Sequence, residues 1–255
     1  MFGPDDVSAD DLPARWAGLV ADGSVLLEGF HPVKHALRFG ARVHLIVAAD
    51  PAAVLALTEV LAPDLLGVIG DRMVGASRDM LRRLVGSVPR TEVAALAGGP
   101  GQRPALWSAD RTAPLVVLDN PRDLGNVGAV VRVVAGLGGS GVLTTGSVDP
   151  WHPAVLRGSA GLHFATPVQH APDGWLAGLA GPVLAFDAAG RDLRDQSIPA
   201  GAALIFGSER HGIGVDLRER ADALLALPLT PGVSSYNLAT AVAMALYHWA
   251  LGARR

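Results

Sequence analysis

Short apolar runs alternate with apolar residues at helical spacing along the second half of the chain. A run of four or five apolar residues is typical of a buried strand, whereas apolar residues every three or four positions indicate one face of a helix. The pattern predicts, in order, a strand at 115–118, a helix at 125–137, a strand at 141–144, a helix near 153–159, a strand around 168, a helix at 175–179, strands at 183–186, 202–206 and 224–227, and a helix at 237–251. Buried strands that alternate with amphipathic helices predict an α/β domain with a parallel sheet covered on both faces.

The first hundred residues show the same two patterns in shorter segments. They predict helices at 12–22, 31–39, 51–62 and 78–85, and strands at 24–27, 43–49, 65–69 and 91–96. The sequence GGPGQRP at 98–104 is typical of a linker. We therefore predict an N-terminal leader at 1–22, a small αβ domain at 23–97, a linker at 98–110 and a larger α/β domain at 111–255.

Composition narrows the class of protein. The 255 residues include no cysteine, which excludes disulfides and thiolate metal sites, and the eight histidines do not fall at metal-ligand spacing with carboxylates. The chain has neither an uninterrupted apolar run of membrane-spanning length nor a basic-then-apolar secretion signal, so we expect a cytoplasmic protein without a bound metal. Because the net charge is −3, any contact with nucleic acid must come from local clusters of arginine.

The segment 224–250 combines a strand, a polar loop and a helix. Pro228 cannot donate a ladder hydrogen bond, so the strand is expected to end there. The loop that follows, Thr230-Pro231-Gly232-Val233-Ser234, is rich in turn residues, and Ser234 or Ser235 is the expected N-cap of the last helix. Exposed backbone amides that lead into a helix are suited to holding a polar small molecule.

Three short motifs lie in the larger domain. They are Asn126-x-Gly128-x-x-x-Arg132, Gly207-Ser208-Glu209-x-x-Gly212 and Leu227-Pro228-x-x-x-Gly232-x-x-Ser235-Tyr236-Asn237. In order and spacing they resemble the three motifs of the SpoU (TrmH-like) RNA ribose 2′-O-methyltransferases, which belong to the knotted SPOUT class. Tyr236 departs from the pattern, since leucine is common there. The sequence LLEGFHPVKHAL at 26–37 resembles the start of the L30e-like substrate-recognition domain that many of these enzymes carry.

The resemblance implies a fold, a reaction and a set of site residues. It implies a SPOUT-type parallel sheet with a C-terminal trefoil knot, preceded by a small L30e-like domain, in a homodimer with active sites at or near the interface. The implied reaction transfers a methyl group from S-adenosyl-L-methionine to a ribose 2′-hydroxyl of rRNA or tRNA. The implied catalytic positions are Asn126, Arg132, Glu209, Ser235 and Asn237. The expected cofactor contacts are Ile205, Phe206, Gly207, Gly212, Ile213, Leu227, Leu229, Ser235, Asn237 and Leu238.

Several of these residues have a simpler structural interpretation. Asn126 stands at a helix start, where asparagine is an ordinary cap, and Arg132 could be a solvated surface arginine. Expected RNA contacts are Arg157 and Ser159 in a segment that also resembles the family, Arg78, Arg82 and Arg83 on one helix, and, more weakly, His31 and Lys34. Each of these could equally be surface residues without a function.

Two roles for Arg132 and three competing functions stay open at this point. A guanidinium effectively remains protonated in proteins, so we favour a clamp on phosphate and developing oxyanion over a general base. The competing functions are a non-catalytic RNA-binding protein with the same fold, a SPOUT enzyme that methylates a base, and an unrelated α/β enzyme with a nucleotide cofactor. The sequence does not identify the RNA or the nucleotide modified.

Overall fold

The computed structural model describes residues 11–101, 104–108, 110–208 and 211–252. These residues form two compact units. The first contains the described residues up to Gly101 together with Ala160–Phe164, and the second contains the rest of the described chain.

The first unit is a four-stranded sheet with helices. Its elements are α1 (Leu12–Ala21), β1 (Val25–Glu28), α2 (Phe30–Arg38), β2 (Val43–Ala48), α3 (Pro51–Leu61), α4 (Leu66–Arg72), β3 (Met73–Gly75), α5 (Arg78–Val85) and β4 (Val93–Ala97). The strand order is β1-β4-β2-β3, with β4 antiparallel to both of its neighbours and β3 parallel to β2. Leu12 and Trp16 of α1 are buried in a core with Leu45 and Leu96, so α1 belongs to this unit rather than to a separate leader.

One predicted strand of this unit, at 65–69, is wrong. The segment forms a short 3₁₀ turn at Pro63–Leu65 followed by α4, and the strand comes later, at β3. Only Leu65 and Ile69 of this run are buried, four positions apart, while Val68 is exposed. That spacing is helical, and a short apolar run does not by its composition separate a strand from a buried helix.

The second unit is built on a six-stranded parallel sheet. Its elements are β5 (Leu115–Leu118), α6 (Leu124–Leu137), β6 (Gly141–Thr144), α7 (Pro153–Gly158), β7 (Val168–His170), β8 (Val183–Asp192), β9 (Ala203–Phe206), α8 (Val215–Arg220), β10 (Ala223–Ala226) and α9 (Leu238–Gly252). The strand order is β10-β8-β9-β5-β6-β7, and every pair is parallel. The predicted α/β class with a parallel sheet is confirmed.

Alternate residues of the central strands face two apolar layers. Val116 and Leu118 of β5 pack in the layer that holds α6 and α9, whereas Leu115 and Val117 pack in the opposite layer with Leu217 of α8. The sequence pattern missed α8, because Leu217 is the only buried residue of this helix. The predicted helix at 175–179 is a single 3₁₀ turn, Trp175–Gly178.

Strand β8 loses its pairing with β10 for several residues and then resumes it. Leu224 of β10 lies opposite Ala185, but the next residue, Leu225, lies opposite Arg191, so residues 186–190 of β8 have no partner in β10 and form a bulge on that side, although Phe186 stays paired with Phe206 of β9. A Cβ at Gly190 would come within 2.5 Å of the backbone of Leu225, which explains the glycine at the return. The prediction ended this strand at 186, where its apolar run ends.

Neither a membrane segment nor a metal cluster is found in the described part of the chain. Its helices all fall short of the length and apolar character needed to cross a bilayer. Within the same residues, no three His, Asp or Glu side chains are grouped so that they could hold a metal ion.

Candidate active site

The strand order reverses between β5 and β9, and parallel α/β sheets place ligands outside the carboxyl ends of the strands at such a reversal. A pocket of about 390 Å³ opens at the carboxyl ends of β9 and β10 and beside the bulge of β8. Its volume lies in the range of small-molecule sites. The lining residues are Phe186, Asp187, Ala188, Phe206, Gly207, Ser208, Gly212, Leu227, Leu229, Ser234, Ser235, Tyr236, Asn237, Leu238 and Ala241.

Two aromatic rings form the apolar wall of this pocket. Phe186 and Phe206 end neighbouring parallel stretches of β8 and β9, and their rings stack with centroids 4.5 Å apart and planes 9° from parallel. Such a wall suits the flat face of a planar ring. Phe206 was predicted to contact the cofactor, whereas Phe186 was missed. The signal for Phe186 was available, since it ends a predicted parallel strand.

The loop after β9 provides a tight backbone wall. Ser208 and Gly212 exchange two backbone hydrogen bonds, of 3.0 and 3.1 Å, which close the loop on itself. A Cβ at Gly207 would overlap the backbone of Gly212, and Gly212 has φ +67°. Both glycines of the second motif are therefore needed for this turn. Glu209, the predicted acid of the motif, lies outside the described residues.

The loop after β10 is shaped by a turn and a tyrosine. Val233 N donates to Thr230 O at 3.0 Å across Pro231 and Gly232, and Gly232 has φ +89°. Proline followed by a glycine of positive φ is typical of a type II turn. The Tyr236 hydroxyl donates to Pro228 O at 2.8 Å, which closes the loop around this turn. The residue that departs from the family pattern therefore braces the pocket wall.

Asn237 connects the third motif to the first. Its Oδ1 accepts hydrogen bonds from the amides of Ala239 (2.9 Å) and Thr240 (3.4 Å), so Asn237 caps α9. The prediction that Ser234 or Ser235 caps this helix is wrong, because the helix begins at Leu238, beyond the reach of both side chains. The Nδ2 of Asn237 donates to Oδ1 of Asn126 at 2.8 Å.

Asn126 is not the cap of α6. That role belongs to Asp123, whose Oδ1 accepts the Asn126 amide at 2.7 Å. The side chain of Asn126 is therefore available for its contact with Asn237, and the structural alternative for Asn126 is wrong. Two of the predicted catalytic residues are thus in direct contact.

Arg132 is exposed on α6, and it does not line the pocket of its own chain. Its guanidinium makes no hydrogen bond or ion pair with any residue that the structure describes. A guanidinium that has no partner among the described residues can bind an anion from outside the chain.

Gly128 of the first motif has a packing role. A Cβ there would lie 2.7 Å from Val155 O and 2.8 Å from the Cα of Gly158, so α6 and α7 meet backbone to backbone. This contact fixes the helix that carries Asn126 and Arg132, and it explains why glycine stands at both positions.

Most of the predicted cofactor residues line one pocket, and two do not. Ile205 and Ile213 belong to the apolar layer that includes α8. Ile205 is fully buried there because side chains alternate along β9, so that only Phe206 can face the pocket. Ile205 and Ile213 therefore do not line this pocket. The lining residues that were missed are Phe186, Asp187, Ala188, Ser208, Ser234, Tyr236 and Ala241.

Asp187 is the charged residue among the described residues that line the pocket. The backbone amide of Ala189 and the guanidinium of Arg218 hold the pKa of Asp187 below its ordinary value, against an opposing effect of burial. Because Arg218 lies in α8, this ion pair fastens the bulge of β8 to the helix that follows the second motif.

The predicted RNA contacts have mixed outcomes. Ser159 is fully buried, and its hydroxyl donates to Leu156 O at 3.0 Å, so its assignment to the substrate surface is wrong. Arg157 is exposed on α7. The segment passes from the exposed Arg157 to the buried Ser159, and Gly158 between them packs against α6.

In the first unit, the arginines of α5 make local contacts. Arg78 pairs with Glu92 at 2.8 Å, Arg82 with Asp79 at 3.6 Å, and Arg83 contacts the Met80 sulfur. These side chains are exposed and are held by weak surface interactions. On α2, His31 is exposed and Lys34 is half-buried.

Comparison with known proteins identifies the family. Residues 113–247, more than half of the chain, match the sequence profile of the SpoU rRNA methylase family. The chain therefore belongs to this family of α/β proteins.

Individual relatives agree in fold and motif region. The mouse mitochondrial rRNA methyltransferase 3 is 31% identical over 53% of this chain and 46% of its own length. An AdoMet-bound rRNA methyltransferase from Sinorhizobium meliloti superposes with a TM-score of 0.71 and 25% identity over 90% of this chain and 87% of that chain. The SpoU methyltransferase AviRb from Streptomyces viridochromogenes, in complex with AdoMet, superposes with a TM-score of 0.76 and 22% identity over 94% and 98% of the two chains. The chain spans about half or less of the length of the curated relatives that it matches.

Proposed function

We propose that this chain is an S-adenosylmethionine-dependent methyltransferase that acts on a ribose 2′-hydroxyl of rRNA or tRNA. The observation that carries the proposal is the contact of Asn126 with Asn237 at the rim of a pocket walled by the second and third motifs. These residues lie 111 positions apart in the sequence, and the fold brings them together.

The pocket fits the proposed cofactor. Stacked Phe186 and Phe206 offer an apolar wall for the adenine, and the backbone of Gly207 lies on the same lining. Ser235 and Asn237 place side-chain hydroxyl and amide groups on the same lining. When bound, S-adenosylmethionine supplies a methyl group already activated on a sulfonium, so the protein contributes position and electrostatics.

The polar residues at the rim have distinct proposed roles. Asn237 holds Asn126 and the start of α9 in one arrangement, while Ser235 faces the space beside the cofactor, where the ribose hydroxyl must enter. The guanidinium of Arg132 binds an RNA phosphate and stabilises the oxyanion that forms as the 2′-hydroxyl loses its proton. Because a guanidinium effectively stays protonated, the proton leaves through phosphate or water. Glu209 completes the proposed catalytic set.

A homodimer is part of the proposal. Arg132 does not line the pocket of its own chain, and in a homodimer it can reach the pocket of the second copy. The last helix supplies apolar surface, since Tyr247 and Leu251 are 58% and 50% exposed. Exposed aromatic and aliphatic side chains on one helix are typical of subunit interfaces.

The first unit is proposed to hold the RNA and the second to carry the reaction. Exposed arginines of α5 and the cationic residues of α2 supply positive charge for the phosphate backbone in a chain of net charge −3. We place the enzyme in the cytoplasm, where its proposed substrates are found.

Calorimetric titration with S-adenosylmethionine tests the proposal. We expect saturable 1:1 binding with a dissociation constant of about 1 μM to 1 mM. Phe206→Ala should weaken binding, whereas Ile205→Val, on the opposite face of the same strand, should leave it unchanged. A non-catalytic RNA-binding protein or an unrelated nucleotide enzyme would give no binding of this ligand, and that result would overturn the proposal.

A further inference from the structure

Asp119, the residue directly after β5, contacts both ends of the loop that follows β9. Its backbone amide donates to Phe206 O at 2.8 Å, where the loop begins. Its Oδ2 accepts the amide of Gly214 at 2.7 Å, where the loop ends and α8 starts. A Cβ at Gly214 would lie 3.2 Å from this oxygen, so the close approach uses a glycine.

Thr145 fixes the direction of the Asp119 carboxylate. This residue follows β6, the neighbour of β5 in the sheet, and its hydroxyl donates to Asp119 Oδ1 at 2.8 Å. The same hydroxyl accepts the amide of Asn120 at 2.9 Å. Each oxygen of the carboxylate thus has one donor, and the hydroxyl that orients it is itself held by the backbone.

The loop between these anchors is closed on itself. Two backbone hydrogen bonds join Ser208 to Gly212, and the His211 amide donates to Ser208 Oγ at 3.2 Å. Because these bonds tie Ser208 to Gly212, the orientation of both residues depends on where the two ends of the loop are fastened. Gly207, Ser208 and Gly212 of this loop line the candidate cofactor pocket.

We infer that Asp119 and Thr145 are positioning residues that set the loop wall of the cofactor pocket without contacting the cofactor. Neither residue lines that pocket. The sequence motifs do not include them, because their role depends on three neighbouring strand ends, β5, β6 and β9. The consequence for methyl transfer rests on the proposed function, whereas the anchoring of the loop can be tested without it.

Hydrogen–deuterium exchange on the full chain tests the anchoring directly. In Asp119→Asn, an NH2 group replaces one of the two carboxylate oxygens that accept hydrogen bonds. In Thr145→Val, the hydroxyl that orients the carboxylate is lost while the side chain keeps nearly the same shape. We expect amides in 206–217 to exchange about tenfold faster or more in both variants, as for loss of a hydrogen bond to a charged group. Thr145→Ser keeps the hydroxyl and should restore slow exchange.

Asp222→Asn is the matched control. Asp222 Oδ2 accepts the Val183 amide at 2.8 Å, so it makes the same kind of hydrogen bond, but at the amino end of β8. This variant should lower the melting temperature without accelerating exchange in 206–217. If Asp119 had a purely structural role, Asp119→Asn would also lower the melting temperature without accelerating exchange in 206–217. Unchanged exchange of the loop in Asp119→Asn and in Thr145→Val would overturn the inference.

Ligand binding separates this inference from the proposed function. We expect Asp119→Asn and Thr145→Val to weaken S-adenosylmethionine binding about fivefold to tenfold, with recovery in Thr145→Ser. If wild-type protein fails to bind S-adenosylmethionine but the variants still loosen the loop, the proposed function is wrong and the anchoring is correct. If wild type binds and the anchor variants bind equally well, the positioning role is wrong.

Discussion

Asn237 donates a 2.8 Å hydrogen bond from its side-chain amide to Oδ1 of Asn126, and its own oxygen caps α9 at the same time. One side chain therefore fixes the start of the last helix relative to the start of α6. Because α6 and α9 pack in the same apolar layer, this polar contact sits at the end of a rigid helix pair.

Substitution of Asn237 should separate these two roles. Serine can cap a helix but is too short to reach Asn126, whereas alanine can do neither. We expect Asn237→Ala to lower the unfolding free energy by about 0.5–2 kcal/mol and Asn237→Ser to lower it less. A double-mutant cycle with Asn126→Ala measures the contact itself, with an expected coupling of about 0.5–1.5 kcal/mol. A coupling near zero would mean that the two amides do not interact in solution.

Removal of Arg132 should affect turnover and not cofactor binding. For Arg132→Ala we expect methyl transfer to fall about 10²–10³-fold, as for loss of an oxyanion donor, while the dissociation constant of S-adenosylmethionine stays within about twofold. Arg194→Ala, which removes an exposed arginine paired with Asp192, is the control and should retain activity. Near wild-type methylation by Arg132→Ala would rule out both the clamp and the base.

Glycine-to-alanine changes on α6 should have opposite signs at two positions. The Cβ of Gly128→Ala would lie 2.7 Å from Val155 O, so α6 and α7 must separate, and we expect a loss of about 1–3 kcal/mol. Gly136, on the same helix, has no atom within 4 Å of an added Cβ, and Gly136→Ala should gain about 0.5–1 kcal/mol. Urea denaturation measures both. Equal effects at the two sites would contradict the close helix contact.

The hydroxyl of Tyr236 should matter for cofactor affinity. Tyr236→Phe removes the hydrogen bond to Pro228 O, and we expect binding of S-adenosylmethionine to weaken about twofold to tenfold as the loop loosens. Tyr247→Phe removes the hydroxyl of a tyrosine that is 58% exposed on α9 and should leave the affinity unchanged. Unaltered calorimetric affinity in Tyr236→Phe would show that the tyrosine does not brace the pocket.

Acid should weaken the fastening of the β8 bulge. The pKa of Asp187 is lowered by the Ala189 amide and by Arg218. A carboxyl group with a lowered folded-state pKa stabilises the protein fully above its unfolded pKa, about 3.9, and this contribution is lost as the pH falls through the folded value. The difference in unfolding free energy between wild type and Asp187→Asn should therefore be largest above about pH 5 and shrink below about pH 3.5. Urea titrations at several pH values measure it, and a difference independent of pH would contradict the lowered pKa of Asp187.

The sequence predicted the parallel sheet well because its strands are buried on both faces. In β5 and β9 every residue is apolar and buried, and the helices between them carry an apolar stripe. Helix α8, which has a single buried side chain, shows no such pattern and was missed. The bulge of β8 was also missed, because it depends on where β10 pairs rather than on local composition.

The site residues that belong to sequence motifs could be predicted, whereas those whose position depends on neighbouring strands could not. Asn126, Ser235 and Asn237 come from motif spacing, and the structure brings them to one rim. Ile205 was grouped with Phe206 because the apolar run did not show which residue of β9 faces the pocket. The contributions of Asp187 and Asp119 depend on strand order, which cannot be read from the local sequence.

The central claim is that this chain methylates the ribose of RNA, and transfer of a labelled methyl group tests it most directly. Purified protein, methyl-labelled S-adenosylmethionine and unmodified rRNA or tRNA should give labelled RNA, and alkaline digestion should leave the label in resistant dinucleotides. Mapping of those dinucleotides then identifies the nucleotide. Label released on a methylated base, or no transfer to either RNA by protein that binds the cofactor, would contradict the account.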